Sequence, residues 1–165
     1  MTGPFDDLLA ANARYADDFS LAGFDGLAHA GVAIVTCMDS RIDPLGLLGL
    51  QPGGAKILRN AGGRVTDQAL SALVLAVHLL GVDRVLVIPH TRCAMATASE
   101  SELRDQVGAA SGLDASGETF GAVADQEAAL RADVARVRAH PLVPDSVAVG
   151  GFRYDVDTGR LEHLV

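Results

Sequence analysis

Short apolar runs alternate along this chain with longer stretches whose apolar residues recur at helical spacing. Residues 31–36, Gly-Val-Ala-Ile-Val-Thr, are rich in β-branched side chains without polar alternation, which predicts a strand covered on both faces. Residues 55–59 and 84–88 read as a second and third strand and 146–149 as a fourth. Residues 152–156 and 161–164 read as a closing strand and hairpin around Asp157-Thr158-Gly159. Leu8, Ala11, Tyr15 and Phe19 share one helical face over 4–19. A second helix runs from Thr66, a good N-cap, to Leu80 and stops at Gly81; a third covers about 91–107. Leu130, Val134 and Val137 mark a last helix, which His140-Pro141 closes. Residues 45–50 suggest a short helix, and the small, polar residues 108–121 suggest a mobile loop. The 66–80 helix is apolar nearly all round, which predicts burial, on its outer side against a second subunit.

Strands and helices in this alternation predict an α/β fold: a mainly parallel four-stranded sheet with helices on both faces and a C-terminal antiparallel strand or hairpin. With 165 residues and no repeat or linker, the expectation is one domain over 1–165 with an N-terminal helical arm at about 4–20. Hydrophobic residues make up 49%, enough for a core; aromatics are only 4% and tryptophan is absent, which disfavours base stacking. The net charge of −8 argues against nucleic acid or an anionic membrane as partner. The first residues lack a basic stretch followed by an apolar one, and the longest apolar run, 69–81, is too short to span a bilayer. Two cysteines make no disulfide framework, so a cytoplasmic, reducing compartment is expected.

Ligands of parallel sheets bind beyond the carboxyl ends of the strands, where the strand order reverses. The chain's most reactive residues cluster at those ends: Cys37, Asp39 and Arg41 after the first strand, Asn60 after the second, His90 and Cys93 after the third. His90-x-x-Cys93 can chelate one ion from a tight turn, and Cys37 can supply a third ligand. Two thiolates and an imidazole suit Zn²⁺ and leave a fourth position open. The plainer alternative is two buried apolar cysteines and a capped histidine. Asp39 and Arg41, two apart in an extended loop, can face one side, with Arg41 holding Asp39 ionised in a fork; away from a cysteine this would be an ordinary salt bridge. A cysteine phosphatase loop is excluded, because the arginine it needs would fall where Asp43 stands.

Three segments, Thr36-Cys-Met-Asp-Ser-Arg-Ile-Asp-Pro44, Arg59-Asn-Ala-Gly-Gly63 and His90-x-x-Cys93, resemble in order and spacing the three signatures of the β-class carbonic anhydrases, especially the short members. The resemblance implies one Zn²⁺ on Cys37, His90 and Cys93, and Asp39 with Arg41 as the catalytic dyad. It implies that Asn60, Ala61, Gly62 and Gly63 line the substrate pocket. The implied reaction is reversible hydration of carbon dioxide to bicarbonate and a proton by zinc-bound hydroxide, in a homodimer or a tetramer of paired dimers. Alternatives are hydrolysis of another small heterocumulene such as carbon disulfide, or a weakly catalytic zinc or redox protein in which Asp39 closes the metal or the cysteines pair. Two residues depart from the family pattern: Ala94 replaces the usual glycine, and Arg92 places a cation between the ligands, which is expected to favour bound anions and slow bicarbonate release. Arg59 is expected to be a subunit or domain ion-pair partner rather than catalytic, His78 a core histidine and His140 a helix-end residue. The family's bicarbonate-inhibition pocket uses a tryptophan and is expected to be absent.

Overall fold

The computed structural model describes residues 3–165; Met1 and Thr2, part of the expected domain 1–165, lie outside it. Five strands form one sheet: β1 (Val32–Cys37), β2 (Ala55–Asn60), β3 (Arg84–Ile88), β4 (Ala148–Tyr154) and β5 (Leu161–His163), in the order β2-β1-β3-β4-β5. The first four are mutually parallel, and β5 returns antiparallel to β4. All six residues of β1 are buried, as its unbroken apolar run predicts. Its one hydroxyl, on Thr36, donates to the Ile88 carbonyl at 2.7 Å, so no polar atom is stranded.

Helices α2 (Asp67–Leu79) and α5 (Gln126–Arg138) pack on one face, where Leu73, Val134 and Val137 meet Val35, Val85 and Val87. On the other face Leu47 and Leu48, in a 3-10 turn over Gly46–Leu48, pack against Val32, Ile34 and Ile88; this turn stands where a short helix over 45–50 is expected. Thr66 does cap α2, accepting from the Ala69 N–H at 3.2 Å. Only the inner side of α2 is buried; Leu75 and Leu79 face solvent, and His78 is exposed rather than in the core, bonded to the Leu142 carbonyl at 2.7 Å. Helix α1 (Asp6–Asp17) buries none of its residues. No described helix is long and apolar enough to cross a membrane.

Three elements differ from the expectation. The helix over 91–107 is two helices, α3 (Ala94–Thr97) and α4 (Glu100–Ser111), because Ala98 and Ser99 are extended. Ser99 and Glu102 form a reciprocal capping box that starts α4 afresh. The segment 108–121 is less free than its composition suggests: α4 runs on to Ser111, and the Glu100 carboxylate accepts the backbone N–H groups of Phe120, Gly121 and Ala122. Finally, 146–149 and 152–156 join into the single strand β4 across Gly150-Gly151. A β-carbon on Gly151 would lie 2.6 Å from Val165 and 3.0 Å from Leu130 and Val134, so these glycines serve close packing rather than a turn.

Candidate metal centre

The strand order reverses between β1 and β3, which run side by side at the sheet's centre, and their carboxyl ends open on one crevice. Cys37 ends β1, His90 lies two residues past β3, and Cys93 is the N-cap of α3. All three are buried, and their ligand atoms lie within 4.8 Å of one another. The two sulfurs are 4.0 Å apart and both cysteines are free thiols. His90 Nδ1 lies 2.8 Å from the Thr91 carbonyl, which can only accept, so Nδ1 carries the proton and Nε2 presents its lone pair. That Nε2 is buried and has no hydrogen-bond partner. An orphaned imidazole nitrogen beside two thiols is the environment a divalent cation completes, and the N₁S₂ donor set fits Zn²⁺.

The sulfurs are electrostatically unequal. The contact with Cys93 lowers the Cys37 thiol, against the cost of burial and with further help from His90 and the backbone N–H groups of Asp39 and Gly62. The same contact raises Cys93, and either sulfur can be the donor in it. Burial opposes a charge on His90, but the nearby Cys37 sulfur, the Thr91 carbonyl and Asp39 outweigh that and raise it.

Asp39 stands outside the three-atom cluster. Its Oδ2 is 3.8 Å from His90 Nε2, and Arg41 grips both carboxylate oxygens, Nε to Oδ1 at 2.9 Å and a terminal nitrogen to Oδ2 at 2.6 Å. The Arg41 backbone N–H adds a bond to Oδ1 at 2.9 Å. The side-chain and then the backbone bond of Arg41 hold Asp39 far below the usual carboxylate range.

A cleft of about 460 Å³ opens over the cluster, with Asp39, Ser40 and Arg41 beside apolar Met38, Ala61, Ala94 and Met95. Of residues 60–63, only Ala61 borders it. Gly62 and Gly63 line a separate small cavity behind Cys93, and the Asn60 side chain is spent on the Arg64 backbone, donating at 2.7 Å and accepting at 2.8 Å. Gly63 has φ +66°, and a β-carbon there would meet the Cys37 nitrogen at 2.9 Å, so the glycine loop lies hard against the end of β1.

Arg92 does not line this cleft. Its exposed guanidinium pairs with Asp157 in the β4–β5 turn, so a carboxylate offsets the cation expected to hold anions. Its backbone is left-handed at φ 54°, unique among the non-glycine residues described, and its carbonyl accepts from Arg41 at 3.3 Å. Asparagine adopts this conformation readily. Arg92→Asn is therefore expected to raise stability by about 1 kcal/mol, the lost pair with Asp157 being exposed and weak. An unchanged or lower urea midpoint would contradict this. Ala94 has no need of glycine's freedom at the first position of α3, and its methyl group borders the cleft.

Sequence reasoning missed Arg59, which meets carbonyls instead of a carboxylate, and Gln126, whose amide donates to the His90 carbonyl at 3.0 Å. No local pattern signals either one.

The family model described as carbonic anhydrase matches residues 32–161. Beta-carbonic anhydrase 1 of Mycobacterium tuberculosis is 34% identical, over 96% of each chain. A carbon disulfide hydrolase of Acidianus sp. is 30% identical, over 88% of this chain and 83% of its own. The crystal structure of a carbonic anhydrase from Streptococcus mutans superposes with a TM-score of 0.88 at 38% identity, covering 100% of this chain and 99% of that one. Motif, site geometry and these likenesses agree: the chain belongs to the β-carbonic anhydrase family.

Proposed function

We propose that this chain catalyses the reversible hydration of carbon dioxide to bicarbonate and a proton, with Cys37, His90 and Cys93 holding one Zn²⁺ and Asp39 and Arg41 as the working dyad. The observation that carries the reading is the bare, buried Nε2 of His90, set between two thiols and 3.8 Å from a carboxylate gripped by arginine. Zn²⁺ held by Cys37, His90 and Cys93 would acidify a water at its open position, as zinc does in carbonic anhydrases with three histidine ligands, where that water has a pKa of about 7. Asp39, kept ionised by Arg41, accepts hydrogen bonds and cannot donate one; it therefore fixes which way an O–H beside the ligand atoms points. Met38, Ala61, Ala94 and Met95 give an uncharged linear molecule an apolar wall. Of residues 60–63, we assign Ala61 to this wall and Gly62 and Gly63 to the backbone support of Cys37; Asn60 stabilises the loop they belong to.

Stopped-flow hydration of carbon dioxide by zinc-loaded protein, from mildly acidic to alkaline pH, tests this. Turnover rising with pH is expected; absence of rate at every pH overturns it. Carbon dioxide is preferred over carbon disulfide because the relative named for the former is more similar and is matched over more of its length. Carbon disulfide in the same assay, with sulfide release as signal, separates the two.

The same reading includes a homodimer, or a tetramer made from two. Phe5, Leu8, Leu9, Tyr15 and Phe19 around α1 and Leu75 and Leu79 on α2 are exposed large apolar side chains, the kind of surface a second subunit covers. Sedimentation equilibrium should return at least twice the 17.0 kDa chain mass; a monomer at micromolar concentration would refute it. We assign the protein to a cytoplasmic, reducing compartment, which keeps both thiols unpaired and able to act as ligands.

A further inference from the structure

We propose that Arg59 is a positioning residue for the reaction, acting through the main chain of the loop that carries Cys37 and Asp39. This rests on the functional reading above. Arg59 lies on β2 beside Thr36 of β1, so its origin is fixed to the sheet. Its guanidinium reaches across the strand end to three carbonyls of one loop: Nε to Cys37 at 2.9 Å, one terminal nitrogen to Asp39 at 2.6 Å and the other to Ile42 at 3.3 Å. The Asp39 carbonyl also accepts the Ile42 N–H at 3.1 Å, which closes the turn on itself.

These contacts bracket Asp39 on both sides. Arg41 holds the carboxylate and Arg59 holds the backbone beneath it, so the 3.8 Å between Oδ2 and His90 Nε2 is set from two directions. Because a reacting geometry misplaced by about 1 Å can cost on the order of 100-fold in rate, a clamp on this backbone bears on turnover without touching substrate. The clamp needs a planar fork of donors. Lysine carries its donors on a single nitrogen and cannot span three carbonyls.

The test uses full-length Arg59→Ala and Arg59→Lys, each also combined with Asp39→Ala. Zinc content, hydration kinetics and amide hydrogen exchange are read together. Both single variants are expected to keep one zinc, to lose on the order of tenfold or more in kcat with little change in KM, and to exchange faster at residues 38–42 than the parent. Added to Asp39→Ala, neither should cause further loss, because Arg59 works through Asp39. Unchanged kcat in Arg59→Ala, full activity in Arg59→Lys, or a further loss on top of Asp39→Ala each overturns the proposal. If the parent itself shows no hydration, the functional reading falls, and unchanged exchange at 38–42 would independently remove the clamp.

Discussion

Cys93→Ser is expected to lose stoichiometric zinc. Serine keeps the size of the side chain and its place as N-cap of α3, so the backbone of the His90–Cys93 turn has no reason to move. What disappears is a soft sulfur ligand 4.0 Å from the other one. A hydroxyl at neutral pH is not ionised and is a poor zinc ligand, which leaves Cys37 and His90 to hold the ion alone. Replacing a group that merely supports a ligand costs about 10–100-fold in affinity, and removal of a ligand costs more. Dialysis followed by elemental analysis reads the outcome: parent protein near one zinc per chain, variant near none. Stoichiometric zinc in the variant would remove Cys93 from the ligand set.

Asp39→Ala should give the complementary result, keeping zinc while losing turnover. The Asp39 carboxylate is absent from the three-atom cluster and is spent on Arg41, so its removal leaves the three ligands in place. It does leave the Arg41 guanidinium unpaired at the edge of the cleft, and it deletes the one acceptor-only group beside His90 Nε2. A loss of roughly 100-fold in kcat is expected, the lower range for a positioned acid–base group. Parent-like turnover at full zinc occupancy would strip Asp39 of its role. The two variants together separate holding the metal from using it.

Much of this centre was legible in the amino-acid order, for local reasons. The unbroken run in β1 is short and β-branched, which marks a strand buried on both faces, and such a strand puts Cys37 at its carboxyl end. The His90-x-x-Cys93 spacing needs one tight turn, so these residues converge whatever surrounds them. What stayed hidden depends on partners distant in the chain. Gly150-Gly151 reads as a break, and only Leu130, Val134 and Val165 packed on it explain why the strand continues. Arg59 reads as a generic cation until the loop over 37–42 folds across it. The interruption at Ser99 is the exception: Ser99 and Glu102 have capping-box spacing, a local signal overridden by the helical composition around it.

The buried carboxylate of Asp133 on α5 accepts from Arg64 at 2.6 and 3.2 Å and from the Val65 N–H at 3.1 Å. Arg64 in turn is clasped by Asn60, and Gly63 between them presses on the Cys37 backbone. During synthesis Cys37, His90 and Cys93 have all emerged some forty residues before Asp133 does. The wall behind the first of these sulfurs is therefore assembled only after the last helix has docked, which ties maturation of the centre to completion of the fold.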